Sequence, residues 1–267
     1  MQFDPAFRDD ALSEELWQAA MAELRMPPPG SYGGLEVRRE PASAVPLFGQ
    51  QLAFAQPLEF TLVYEGATLW MSDTPQERLM MLAATEGMAG SVLVLGGGLG
   101  MYPQLALRHS RAERITLVER HPEVAALLRR TLDGLPVEIV EAGAARFLAE
   151  AAAGGMRFDS CYIDIHPTID PRWLPGLNWL RDQAAPLVAG RLNIWGYHWM
   201  LRELVAGLER EYLPPMRAGR RYADRLGGDL AARLPADWRF RAPAELRRWL
   251  IGYAAAAAWP LAELDQV

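Results

Sequence analysis

One stretch restricts what this chain can fold into more than any other. Ser91-Val92-Leu93-Val94-Leu95 runs into the turn Gly96-Gly97-Gly98-Leu99-Gly100, and Met101-Tyr102-Pro103-Gln104-Leu105-Ala106-Leu107 follows with helical spacing. A short, continuous, partly β-branched apolar run bounded by glycine reads as a strand buried on both faces, as in a parallel sheet. The glycines let the backbone turn sharply and let a ligand approach with no Cβ in the way. Amides at the start of the following helix point into that space. The stretch therefore predicts a strand–turn–helix that holds a nucleotide-like ligand, with Gly96, Gly97, Gly98 and Gly100 as its cradle.

A second strand, Arg114-Ile115-Thr116-Leu117-Val118-Glu119, ends in a carboxylate. It lies about 20 residues beyond the glycines, where nucleotide-binding α/β folds place the acid that takes the ribose hydroxyls. Glu119 is therefore the candidate sugar-binding residue. The dinucleotide fingerprint Gly-x-Gly-x-x-Gly is not met, because Met101 stands where its third glycine would be.

The tighter spacing Gly96-x-Gly98-x-Gly100 resembles motif I of the class I S-adenosylmethionine-dependent methyltransferases. The triple glycine resembles, more narrowly, the turn of spermidine synthases. Val118-Glu119-Arg120-His121-Pro122-Glu123-Val124 is similar to the stretch that follows in that family, and adds Arg120 to the cofactor-binding candidates. The resemblance covers roughly residues 60 to 200. It implies a Rossmann-like, mostly parallel α/β sheet of methyltransferase type that binds S-adenosylmethionine or a decarboxylated analogue. Where the family pattern carries an acid for the adenine amino group, this chain has Ala142-Gly143-Ala144. Either backbone groups at Gly143 and Ala144 serve adenine, or Glu141 reaches it.

With 267 residues, 51% hydrophobic and 22% charged, the chain is long enough for one full core. A net charge of −6 gives no footprint for nucleic acid. The densest basic stretch, Arg217 to Arg225, reads as a solvated helix face. The one cysteine, Cys161, excludes an internal disulfide or a cysteine metal cluster. No run approaches the length of a membrane span and no leader pattern opens the chain. The expectation is a soluble, cytoplasmic protein.

Before the glycine strand, residues 1–58 are expected to form an N-terminal helical cap or lid, and residues 59–267 the binding domain, which begins with a hairpin. Ser13 caps a helix that Pro27-Pro28-Pro29-Gly30 ends, and residues 31–56 read as loop or short strands. Glu59 to Met71 reads as a hairpin about Glu65-Gly66, and Ser72-Asp73-Thr74-Pro75-Gln76-Glu77 opens a helix with cap chemistry. A hairpin and helix of this kind also precede the glycine strand in spermidine synthases. Their Tyr-His pair is absent here, where Leu79-Met80-Met81 stand. Trp70, beside Met71, is a candidate substrate contact, or core.

Pro136 to Glu141, Arg157 to Asp164 and Arg191 to Trp199 read as the remaining strands. Asp164 ends one of them at the carboxyl edge of the sheet, where open α/β sheets bind ligands. Asp164, His166 and Asp170 are the candidate catalytic residues: an acid polarises an amine, and an imidazole takes a proton near neutral pH. Asp170 equally suits a helix cap. Asn193, Trp195 and Tyr197 are candidate substrate contacts, since a sulfonium or ammonium sits well on aromatic faces; the same residues suit an apolar wall. Residues 200–235 read as helix, and Trp238 to Arg241 and Arg248 to Tyr253 as last strands.

The expected activity is methyl transfer to a small molecule. The alternatives are aminopropyl or 3-amino-3-carboxypropyl transfer, or cyclisation of the cofactor side chain, each releasing methylthioadenosine. A third reading is a non-catalytic nucleoside-binding protein. The resemblance also implies a homodimer.

Overall fold

The computed structural model describes residues 14–48, 50–200, 203 and 245. Ser13, the basic stretch 217–225, the expected helix beyond residue 203 and the expected last strands lie outside the described residues. The chain divides into two compact units, one of residues 1–167 and 183–195, the other of residues 168–182 and 196–267.

The first unit contains two sheets. Helix α1 (Glu14–Ala20) precedes an antiparallel sheet of strands β1 (Gly30–Tyr32), β2 (Leu35–Leu47), β3 (Gln50–Glu65) and β4 (Thr68–Ser72), in that order. The hairpin about Glu65-Gly66 is present, with Glu65 opposite Thr68 and Val63 opposite Met71, and Gly66 takes the left-handed φ of +60° that its turn requires. Leu35, Val37, Phe60 and Val63 bury its inner face.

The stretch 31–56, read as loop or short strands, is mostly the long β2–β3 ladder, and the boundary drawn after residue 58 falls inside β3. Pro41, Pro46 and Pro57 lie within these two strands. They are tolerated because β1 pairs β2 only at Val37 and before, and β4 pairs β3 only from Leu62 onward. The prolines therefore lie where each strand has a neighbour on one side, and a missing N–H costs no ladder bond on the open side.

Helix α2 (Pro75–Ala83) leads into the second sheet. Its strands are β5 (Ala89–Leu95), β6 (Arg111–Glu119), β7 (Val137–Glu141), β8 (Ser160–Ile163) and β9 (Leu192–Ile194), alternating with helices α3 (Met101–His109), α4 (Pro122–Thr131) and α5 (Ala144–Ala153). All pairings are parallel and the order is β7-β6-β5-β8-β9. This is the expected Rossmann-like sheet. β5 is central, and Val92, Leu93, Val94 and Leu95 are all fully buried, as a strand covered on both faces requires. The chain winds outward through β6 and β7, then returns to the other side of β5 as β8. The reversal opens a crevice at the carboxyl ends of β5 and β8, where such sheets bind ligands.

In the second unit, Asp170 caps the 3₁₀ turn Pro171–Trp173 and helix α6 (Leu174–Ala184) follows. Of residues 191–199, read as a strand and its exit, only the first part is strand. β9 ends at Ile194, and residues 197–200 are helical. Among the described residues no helix is long and apolar enough to cross a membrane, and no group of His, Cys, Asp or Glu is arranged to hold a metal ion.

Candidate functional site

The glycines divide their work. Gly96, at φ +91°, lies so close to β8 that a Cβ there would overlap the Asp164 carbonyl oxygen. A Cβ on Gly97 would meet Leu128 and Leu117, and one on Gly100 would meet Leu128 and Leu132. These three glycines pack the turn against its own sheet and helix. Gly98, at φ +51°, faces open space, with nothing within 4 Å of where a Cβ would stand. Among the described residues the Gly98 and Leu99 amides have no hydrogen-bond partner, while Gly100 N donates back to Gly97 O at 2.9 Å. A strip of free backbone donors beside a residue without a side chain suits an approaching polar ligand.

Glu119 stands at the end of the neighbouring strand and is buried. Its Oε2 accepts the Gly97 amide at 3.0 Å and its Oε1 accepts the His121 amide at 2.8 Å. Each carboxylate oxygen keeps acceptor capacity for one further donor. The acid is thus locked in place beside the glycine turn with room for two hydroxyls. Arg120 is exposed, and its Nε donates to His121 Nε2 at 3.1 Å. Trp70 meets the His121 ring edge-on at 4.9 Å, which places it at the rim of this loop. Gly143 begins α5 and faces open space, with Ala144 after it, and Ala142 N donates to Glu119 O at 3.0 Å. Glu141 does not turn this way, since its carboxylate pairs with Arg129 at 3.4 Å on the surface.

Asp164 follows β8 directly, and its amide donates to Leu95 O at 2.8 Å. Burial pushes its carboxyl well above the usual range, and the charges that reach it, Glu77 and Glu119, push it the same way. Glu77, in the first turn of α2, is held at about 7 by burial, against the lowering pull of the Trp195 indole N–H. In the sequence Glu77 reads only as part of the cap chemistry that opens a helix. No local signal could have found it, because α2 and β8 meet only in the folded chain.

Other candidates stand differently. His166 is buried, and burial together with the Arg120 charge holds its imidazole down at about 3. A group that basic only below about pH 3 is a poor proton acceptor near neutrality, so the base role assigned to His166 is not the one its surroundings favour. Asp170 accepts the Arg172 amide and the Arg172 Nε, both at 2.9 Å, and serves as a cap. Asn193 donates to Ala84 O at 2.9 Å and accepts from Arg191 Nε at 3.3 Å, which uses it to join chain segments. Tyr197 donates to Asn178 Oδ1 at 2.6 Å within the second unit, with Arg181 beside it at 3.3 Å. The first unit therefore brings together Gly98, Glu119, Arg120, Trp70, Gly143 and Ala144 along one edge, and Asp164, Glu77 and Trp195 at the next strand end. Asp170 and Tyr197 belong to the second unit.

No family model matches the chain, and no curated protein matches it. Among solved structures it is similar to the spermidine synthase of Thermotoga maritima, at 19% identity over 44% of this chain and 45% of that one, with a TM-score of 0.32. It is similar to the SAM-dependent methyltransferase of Agrobacterium tumefaciens, at 14% identity over 49% of this chain and 46% of that one, TM-score 0.37. It is also similar to the O-methyltransferase of Bacillus cereus in complex with SAH, at 18% identity over 57% of this chain and 67% of that one, TM-score 0.35. The chain spans less than half the length of the first two. Its own strand order and glycine turn, rather than these scores, make it a Rossmann-like α/β protein.

Proposed function

We propose that this chain binds S-adenosylmethionine, or its decarboxylated analogue, and transfers a group from it to a small molecule, the methyl group being the favoured one. The observation that carries this reading is the Glu119 carboxylate, fixed by two backbone amides beside the open face of Gly98. Glu119 accepts the ribose hydroxyls, the free amides of Gly98 and Leu99 donate to the amino-acid end, and the start of α5 at Gly143 and Ala144 meets the adenine. When bound, the cofactor supplies a positively charged sulfur whose attached carbons are open to nucleophilic attack. The protein then has mainly to align the acceptor, since proximity and orientation supply most of the rate. Asp164 and Trp195 lie at the adjoining strand end and orient the acceptor. In this reading the N-terminal segment covers the site.

A second reading, transfer or cyclisation of the cofactor's side chain, draws support from the β3–β4 hairpin and α2, which precede the glycine strand as they do in spermidine synthases. Incubation of the protein with the cofactor and a small-molecule extract separates the two. Release of S-adenosylhomocysteine is the expected result, and release of methylthioadenosine replaces the first reading with the second. Absence of nucleoside binding by calorimetry overturns both.

A further inference from the structure

Between α1 and β1 the chain runs as an irregular strap over residues 21–29. Backbone outside a helix or sheet must find its hydrogen bonds elsewhere, and here side chains supply them. Arg78 Nη1, from α2, donates to Ala20 O at 3.4 Å and to Ala22 O at 3.0 Å. Arg108, from α3, donates to Glu23 O. The strap's own Arg25 Nη1 donates to Asp133 O at 2.6 Å, just past α4. Leu24 and Pro27 are buried beneath it.

One side chain joins this strap to the glycine turn. Gln104, in the first turns of α3, is 2% exposed. Its Oε1 accepts the Arg25 amide at 2.8 Å, and its Nε2 donates to Arg25 O at 2.9 Å and to Gly100 O at 2.9 Å. A carboxamide carries two N–H donors and one oxygen, and all three groups are engaged. The reverse orientation would set the oxygen against two carbonyls, so the partners fix which end is which.

The turn itself is held at both ends. On the entry side Gly96 N donates to Val118 O at 2.9 Å and Gly97 N to Glu119 Oε2 at 3.0 Å. On the exit side Gly100 N closes the turn on Gly97 O, and Gly100 O is held by Gln104. Gly98 and Leu99 are the two residues between these anchors. Pro27, two residues past Arg25, lines a small apolar pocket with Gly98 and Leu99, roofed by Leu35, Val63 and Met71 of the antiparallel sheet.

We propose that Gln104 is the positioning residue of the glycine turn, and that through it the docked strap sets the turn's affinity for the amino-acid end of the ligand. Gln104 touches no ligand. It fixes the Gly100 carbonyl, and with it the direction in which the Gly98 and Leu99 amides point. The strap fixes Gln104 in turn, because the Arg25 backbone takes two of its three bonds. Coupling of this kind is reciprocal: if the docked strap tightens binding at the turn, a ligand at the turn tightens the strap by the same factor. A glutamine that only filled the interior would, when replaced, weaken every ligand alike. As a statement about ligand affinity the inference rests on the proposed nucleoside site, but the link from strap to turn is tested without a ligand.

The test uses the full chain and three variants, each checked for folding by thermal melting. Gln104→Met keeps the length of the side chain and removes its three bonds. Arg25→Pro removes the Arg25 N–H from an exposed position and leaves Gln104 in place; Arg25→Ala keeps that N–H and controls for the lost guanidinium. S-Adenosylhomocysteine, which has the amino-acid end, and methylthioadenosine, which lacks it, are titrated calorimetrically. Hydrogen exchange is followed in peptides spanning residues 20–29 and 96–103. Gln104→Met and Arg25→Pro should weaken S-adenosylhomocysteine by about tenfold and methylthioadenosine by less than about threefold, with Arg25→Ala close to wild type. S-Adenosylhomocysteine should also slow exchange across residues 20–29 in wild type and fail to do so in Gln104→Met. Equal effects on the two nucleosides, or no effect on either, overturn the proposal. If Gln104→Met does not fold, Arg25→Pro against Arg25→Ala decides. If neither nucleoside binds wild type, the nucleoside reading alone fails, and exchange in the free chain decides this one. Gln104→Met and Arg25→Pro should then speed exchange in residues 96–103 as well as in the strap, and a turn that exchanges at the wild-type rate overturns it.

Discussion

Glu119 Oε2 accepts the Gly97 amide at 3.0 Å, joining the end of β6 to the turn that leaves β5. The acid expected to grip the sugar is therefore also a structural clasp. Its geometry is set before a ligand arrives, which lowers the ordering cost of binding. It also means that truncating Glu119 leaves two backbone amides unpaired, a loss of about 1–3 kcal/mol of stability for each buried donor. Binding measured on a Glu119 variant must be read beside its denaturation curve.

Gly96 and Gly98 have similar backbones and opposite surroundings. Gly96→Ala forces a methyl group into the Asp164 carbonyl and is expected to lower the denaturation midpoint severely. Gly98→Ala meets no atom of the protein and costs only the left-handed strain, about 1–2 kcal/mol. Its methyl group occupies the cradle, so the variant should fold and lose nucleoside affinity. A Gly98→Ala protein that binds S-adenosylhomocysteine like wild type removes the cradle from the account.

Arg78 holds three segments together. It pairs with Asp73 and donates to the carbonyls of Ala20 and Ala22, while Asp73 Oδ1 accepts the Thr61 amide at 2.6 Å. Arg78→Met leaves Asp73 buried without its counter-ion. The expected loss is about 3–5 kcal/mol in urea unfolding, the usual cost of halving a buried pair. A loss below about 1 kcal/mol means the pair is solvated in solution.

The pH dependence has opposed parts, and the raised carboxyl of Asp164 acts in the same sense as Glu77. Glu77 is raised from 4.5 to about 7 in the folded chain, so between those values the folded state binds more protons than the unfolded and stability falls as pH rises. His166 is lowered from 6.5 to about 3, so between those values the unfolded state binds more protons and stability rises with pH. From about pH 4.5 to 6.5 they oppose each other. Glu77→Gln removes the Glu77 contribution. Its stability should then climb more steeply with pH across that window than wild type does, and parallel curves in the two proteins contradict the burial assigned to Glu77.

The parallel sheet could be read from the sequence because its strands are continuous apolar runs ending in glycine or an acid, and the central run buries completely as such a run must. The places of Gly98 in the turn and of Glu119 at the end of β6 were legible for the same reason: strand end, turn and spacing are local. The β2–β3 ladder was hidden by Pro41, Pro46 and Pro57, whose tolerance depends on which strands flank them. Asp170 looked chemical because it stands in the loop after β8, yet its oxygens are taken by Arg172. Glu77 was invisible because an acid in a first helical turn is explained by the helix dipole alone. Only the fold sets it beside Asp164.

The N-terminal cover predicts a change in protease sensitivity. Saturation with S-adenosylhomocysteine should slow limited proteolysis near residue 30, at the junction ahead of β1. Identical cleavage with and without the nucleoside means that this segment is only packed on the side of the sheet.

The central claim is that the glycine turn and Glu119 hold a sulfonium nucleoside. Calorimetric titration of wild type and Glu119→Ala with S-adenosylhomocysteine tests it most directly. The account predicts one site per chain in wild type and an affinity at least tenfold weaker in a variant shown to be folded, since two hydrogen bonds to a charged acceptor, about 1.5–3 kcal/mol each, are lost. No heat with wild type, or equal affinity in the folded variant, contradicts it.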